Sequence, residues 1–286
     1  MTGAGNVDWI EHWRRLISRR ESQSLAVQTK ETSTGDFWDR RASSFNEMTR
    51  QRGGQADRFL ELVSSVVDKE TTVMDVGAGV GRHSIPLAKI AKEVIAVEAS
   101  EQMAKYLGQN TEAEDIRNLQ VVRSKWEEAK QIPEVDVAIC SHVIYATEEI
   151  VPFIQKVSDH ARKHCFFVIR ADQVDGHLSE LWKLVHGDER QPEPSLMDFY
   201  NLLHQMGILA NVEVVPFGSG SGSRWTYATW GDAMEHCRSR LYTMPGGRAD
   251  EIIDAYLRKV LVEQEGRYVW PAPQIRAAIV WWRQEG

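Results

Sequence analysis

Between Thr71 and Arg170 the chain alternates short β-branched apolar runs with segments long enough to be helices, and few folds accommodate that pattern. The runs lie at residues 72–76, 94–97, 119–122, 135–140 and 165–170, and the helix-length segments at 81–92, 100–110 and 148–163. Adjacent parallel strands need a long crossover, and that crossover is right-handed. The alternation therefore predicts a doubly wound α/β sheet, Rossmann-like and mostly parallel, with helices on both faces. A helix over 195–206 stopped by Gly207, a strand over 211–217 and a last alternating strand over 274–283 extend the pattern.

The flanks read differently. Trp9, Ile10, Trp13, Leu16 and Ile17 fall at helical spacing behind Asn6 as a candidate N-cap, and a polar connector over 21–36 leads to Phe37-Trp38-Asp39-Arg40-Arg41-Ala42 and a further helical pattern over 56–67. After a Gly/Ser loop over 218–223, Asp232 with Glu235 suggests a capping box opening a helix over 233–242, and 249–262 repeats the helical spacing. We expect three regions: an N-terminal helical lid (1–55), a nucleotide-binding core (56–217), and a helical C-terminal insertion with the strand that completes the sheet (218–286).

The segment Val73-Met74-Asp75-Val76-Gly77-Ala78-Gly79-Val80-Gly81 runs a strand straight into glycines and then a helix, which places a nucleotide at the carboxyl end of the first strand. Gly77 and Gly79 let a ligand approach the backbone with no Cβ in the way. A dehydrogenase loop would read G-x-G-x-x-G, whereas this one reads G-x-G-x-G. Asp75 would repel a pyrophosphate but suits a ligand bearing an ammonium and a sulfonium. Glu98 closes the second strand, where its two oxygens can accept both ribose hydroxyls. S-adenosylmethionine satisfies all of these constraints. An NAD-linked oxidoreductase and a non-catalytic adenosylmethionine-binding protein stay open as alternatives.

On these residues the chain resembles the class I S-adenosylmethionine-dependent methyltransferases, over about residues 56–217 with 274–283 as the final strand. The resemblance implies a seven-stranded sheet whose last strand is antiparallel. It implies Asp75, Gly77, Ala78 and Gly79 around the methionine half, Glu98 on the ribose, and Ala99 and Met103 against adenine. Lys125 occupies a position that is commonly acidic in the family, so Trp126 covers the adenine or packs in the core, or Glu127 takes the polar role. Ser141, His142 and Tyr145 follow the fourth strand, where the loop borders the transferred methyl. His142 is the candidate general base or acceptor-orienting group, with Tyr145 beside it. Trp38 and Phe45 belong to a Trp-Asp-x-x-Ala-type lid segment, either screening the sulfonium or pinning a helix to the core.

Composition narrows the partner. With 34 Lys+Arg against 41 Asp+Glu, a formal net charge of -7 and no basic block, a nucleic acid acceptor is not expected, and a small-molecule acceptor is. No apolar run approaches the roughly 20 residues that span a bilayer, and the start lacks the pattern of a secretory leader, so a cytoplasmic protein without a membrane span is expected. Cys140, Cys165 and Cys237 form an odd set without C-x-x-C spacing; buried thiols are expected, and neither a disulfide framework nor a zinc site. Trp270, Trp281 and Trp282 close an acceptor pocket, form a homodimer face or simply pack.

Overall fold

A computed structural model describes residues 7–29, 37–51, 57–173, 176–216, 225–271 and 275–284. Its frame is ten strands: β1 Thr72–Val76, β2 Glu93–Glu98, β3 Leu119–Arg123, β4 Val135–Ser141, β5 Ala161–Arg170, β6 Asn211–Pro216, β7 Trp225–Tyr227, β8 Val262–Gln264, β9 Arg267–Trp270 and β10 Arg276–Arg283. Seven form the main sheet in the order β3-β2-β1-β4-β5-β10-β6. The β1–β2, β2–β3, β1–β4 and β4–β5 pairs are parallel, and β10 runs antiparallel to both β5 and β6. The order reverses between β1 and β4, and the crevice at such a reversal, outside the carboxyl ends of the strands, is where doubly wound sheets bind ligands.

The interior strands are buried on both faces, which is why they read as nearly unbroken apolar runs. One layer comprises α1 (Trp9–Val27), α6 (Ile150–His160) and α8 (Leu196–Gln205), and it buries Trp13, Phe153, Ile154, Phe199 and Leu202 against Met74, Val76, Ile95 and Phe167. The other layer comprises α3 (Arg58–Ser64) and α4 (Ser84–Ala88), with Phe59, Val63 and Leu87 against Val73, Val137, Ile139 and Ile279. Because side chains alternate along a strand, Met74 and Val76 serve the first layer and Val73 the second. Helix α2 (Phe37–Gln51) packs on α5 (Glu101–Ala113).

The C-terminal part is built on its own core. Helices α7 (Ser179–His186), α9 (Trp230–Leu241) and α10 (Gly247–Val260) enclose Leu181, Trp182, Met234, Cys237, Ile253, Leu257 and Trp270 together with a three-stranded sheet, β7-β9-β8. These strands are only three or four residues long and β8 is exposed throughout, so no apolar alternation announces them. The one local sign is Glu265-Gly266, both at positive φ in the β8–β9 hairpin. Since β6 runs with the parallel strands, its end and the starts of β10 and of the segment after β5 all lie at the sheet's carboxyl edge. The subdomain therefore springs from the same edge as the glycine loop.

Several local expectations are corrected. Asp8 is the N-cap of α1, its side chain accepting from the Ile10 and Glu11 amides; Asn6 lies outside the described residues. The first part of the 21–36 connector is helical to Val27, where Gln23 is held by Asp188, Glu189 and Gln191 in the segment after α7. The capping box of α9 is Thr229 with Asp232, so the helix opens at Trp230 rather than at 233. The 218–223 loop falls outside the described residues. Trp281 and Trp282 pack, stacking on Phe166 and Phe167, and all three cysteines are buried and free.

Candidate functional site

At the end of β1 the chain turns through Gly77 at φ 75° and Gly79 at φ 58°, left-handed conformations that a side chain strains. The amides of Gly77 and Ala78 donate to the Val97 carbonyl at 2.8 and 3.1 Å, tying the loop to the end of β2. A Cβ on Gly77 would stand 2.3 Å from Cγ2 of Val143, so the glycine loop and the turn after β4 are in contact. A Cβ on Gly79 meets only the Phe45 ring, at 3.7 Å.

Two buried carboxylates flank this loop. Asp75 accepts from Ser84 Oγ at 2.5 Å, and burial pushes its pKa up. Glu98 accepts from the Gly79 amide at 2.7 Å and from the Ser100 amide at 2.8 Å; burial raises its pKa, as does the neighbouring Asp75 charge. No salt bridge among the described residues reaches Asp75, Glu98 or Asp39. Each Glu98 oxygen spends one acceptor site on the backbone and keeps one, so two ribose hydroxyls can still be accepted.

Helix α2 is fastened by residues that the sequence did not single out. Asp39 accepts from Ser100 Oγ at 2.5 Å and from the Gln102 amide at 3.2 Å, and Asn110 donates to Asn46 at 2.8 Å and to the Val80 carbonyl at 3.0 Å. The acid of the Trp-Asp pair was the available signal for Asp39. Ala42, Val80 and Met103 form a small buried cluster with Phe45 and Tyr106. Met103 is thus held between α2 and α5, while Ala99 is exposed. Trp38 stays 52% exposed, edge-on to Phe45 at 6.4 Å, and Phe45 is the α2 ring that faces Gly79.

Trp126 and Lys125 are not brought to this crevice. The Trp126 indole is buried beneath α6, its Nε1 donating to the Phe153 carbonyl at 3.3 Å with Lys156 Nζ 4.5 Å over the ring. Core packing is what the structure makes of it, because that indole N–H finds its partner inside. Lys125 is exposed and 3.8 Å from Glu128.

The turn after Ser141 forms the other wall. His142 sits at φ 59°, unusual for a side chain other than glycine, and its amide donates to the Val168 carbonyl. Its Nδ1 is 2.9 Å from Tyr145 Oη, which also accepts from the Arg170 amide at 2.7 Å. Burial, with the Arg170 and Arg82 charges, lowers the His142 pKa to about 3, so the imidazole is neutral at physiological pH. Burial pushes the Tyr145 hydroxyl up. The Arg170 guanidinium lies 4.0 Å over the Tyr145 ring and pairs with Glu193. Sequence reasoning missed Arg170 and Glu193, which meet only through the fold.

Comparison with known proteins agrees with this geometry. Residues 67–207 match the family model described as a methyltransferase domain. An uncharacterised protein of Haemophilus influenzae is 25% identical over 187 residues, covering 64% of this chain and 67% of that protein. Among solved structures, a Bacillus halodurans C-125 protein provisionally assigned as a methyltransferase superposes with a TM-score of 0.55 at 14% identity, covering 81% of this chain and 100% of that one. The YcgJ protein of Bacillus subtilis gives 0.52 at 15% identity, covering 80% and 99%. Residues 67–207, just under half of the chain, thus form a domain that matches the methyltransferase family, on the doubly wound fold that it shares with these structures.

Proposed function

We propose that the chain transfers the methyl group of S-adenosylmethionine to a small-molecule acceptor presented at the carboxyl ends of β4 and β5. The observation that carries this reading is the pair of buried carboxylates, Asp75 and Glu98, beside an open glycine turn and with no salt bridge to either among the described residues. An unpaired buried charge is costly, and a cationic ligand removes that cost. Asp75 and the loop of Gly77, Ala78 and Gly79 would hold the amino-acid half and Glu98 the ribose. A pyrophosphate would meet the same carboxylates as repulsion, which disfavours NAD.

When bound, the cofactor supplies a methyl carbon already activated by a sulfonium, so the chain's own task is alignment and exclusion of water. Phe45 and the Asp39–Ser100 fastening cover the glycine loop from the lid side. Ser141, His142 and Tyr145 form the acceptor side. With its pKa near 3, His142 serves there as a neutral hydrogen-bonding group that orients the acceptor. The region 1–55 acts as lid, 56–217 as the cofactor core, and the C-terminal region as the cap that closes over the acceptor. Calorimetry tests the reading: saturable binding of S-adenosylmethionine and S-adenosylhomocysteine, and none of NAD, is expected. NAD binding with no response to S-adenosylhomocysteine would overturn it.

A further inference from the structure

Charge is distributed unevenly along the crevice. On the cofactor side Asp39, Asp75 and Glu98 take part in no salt bridge among the described residues. On the acceptor side, among the described residues, Arg82 pairs with Asp57, and Arg170 and Arg20 meet at Glu193. Arg82 is 2.7 Å from Asp57, which His83 also approaches at 3.5 Å; Arg170 and Arg20 both pair with Glu193, Arg20 at 3.4 Å. The His142 turn lies between these groups. Arg170 stacks on Tyr145, the hydrogen-bond partner of His142, and Arg82 directly follows the glycine loop on which Val143 packs. One side of the crevice thus presents carboxylates suited to a cationic cofactor, and the other presents guanidinium groups.

Arg170 has spare capacity. Nη1 of its fork goes to Glu193, while Nε is buried with no hydrogen-bond partner among the described residues. A buried donor left unpaired costs free energy, and a guanidinium meets a carboxylate best through two parallel N–H···O bonds. The Nε and Nη2 edge supplies that pair of donors without disturbing the bond to Glu193. We propose that the methyl acceptor is a carboxylate-bearing small molecule and that Arg170 is the residue that selects it, gripping the carboxylate as a handle beside His142.

This inference rests on the methyltransferase reading, so the experiment separates the two. The full chain is saturated with S-adenosylhomocysteine and titrated by calorimetry with benzoate, benzamide and phenyl phosphate. Benzoate is expected to bind at least about tenfold more tightly than its neutral isostere, the scale of hydrogen bonds to a charged group. In Arg170→Gln that ratio should collapse to about one, with S-adenosylhomocysteine affinity kept; Glu193 retains Arg20 in this variant, so no carboxylate is stranded. Arg170→Lys keeps the charge without the fork and should fall between. Failure of S-adenosylhomocysteine to bind would defeat the methyltransferase reading. Normal S-adenosylhomocysteine binding with no preference for benzoate, a preference for phenyl phosphate, or a benzoate preference undiminished in Arg170→Gln would overturn this inference alone. Should neither variant fold, the wild-type ratio of benzoate to benzamide still decides it.

Discussion

Replacing Gly77 with alanine should cost the fold more than the same change at Gly79, which should damage chiefly the site. Both residues have left-handed backbones, so each alanine costs about 1–2 kcal/mol of conformational strain. At Gly79 nothing is added to that, since the new methyl meets only the Phe45 ring at 3.7 Å, an ordinary contact. At Gly77 the methyl would stand 2.3 Å from Val143 Cγ2 and 3.3 Å from Cγ1, an overlap that must push the β4 turn away. Overpacking of that kind costs about 1–3 kcal/mol, for a total of roughly 2–5 kcal/mol. Against a typical stability of about 5–15 kcal/mol, the difference is measurable by urea unfolding with the slope held constant. Val143→Ala in the Gly77→Ala background removes both methyls and should bring the loss back toward that of Gly79→Ala. Calorimetry with S-adenosylhomocysteine should show binding lost or strongly weakened in Gly79→Ala, because the methyl stands in space that the ligand needs. Equal stability of the two single variants, or no rescue by Val143→Ala, would refute the contact between the loops as the cause.

Other outcomes follow from the same geometry. Glu98→Ala should lose about 1.5–3 kcal/mol of cofactor binding, the scale of hydrogen bonds to a charged group, and also free the Gly79 and Ser100 amides, so amide hydrogen exchange in the loop should accelerate. Trp126→Phe should lower stability by about 0.5–1.5 kcal/mol for the lost bond to the Phe153 carbonyl while leaving S-adenosylhomocysteine affinity unchanged; a matching loss of affinity would return Trp126 to the adenine site. Asp75 and Glu98 have raised pKa values in the folded chain, so the ligand-free protein binds more protons than its unfolded form above the ordinary values of 3.8 and 4.5. Their contribution is present below those values and is lost as pH rises through the raised ones; the stabilisation conferred by S-adenosylmethionine should accordingly grow with pH across that window. His142 shifts the other way, down to about 3, so its contribution is present above 6.5 and is lost as pH falls toward 3; His142→Asn, which tolerates the left-handed backbone, should remove that component from the stability profile.

Local chemistry in the sequence determined the strand–helix alternation, the glycine turn, Asp75 at the end of β1 and Glu98 at the end of β2. Each of these depends on neighbours a few residues away: the apolar run that fills both faces of a strand, the φ that only glycine adopts freely, the acid that closes a strand. The tertiary structure decided the rest. Trp126 could have covered a ligand or filled the core, and only the nearby Phe153 carbonyl, supplied by α6, settled it in the core. Met103 was placed by its phase on α5 and then buried by α2, a helix more than fifty positions earlier in the chain. The β7-β9-β8 sheet has strands too short and too exposed to carry a period, and it exists because α7, α9 and α10 give it a core to rest on. Arg170, Glu193, Arg20 and Arg82 come from four separate segments, so no spacing could join them. Arg170 and Arg82 act together on His142 only in the folded chain, since long-range electrostatics is a property of positions in space and not of positions along the chain.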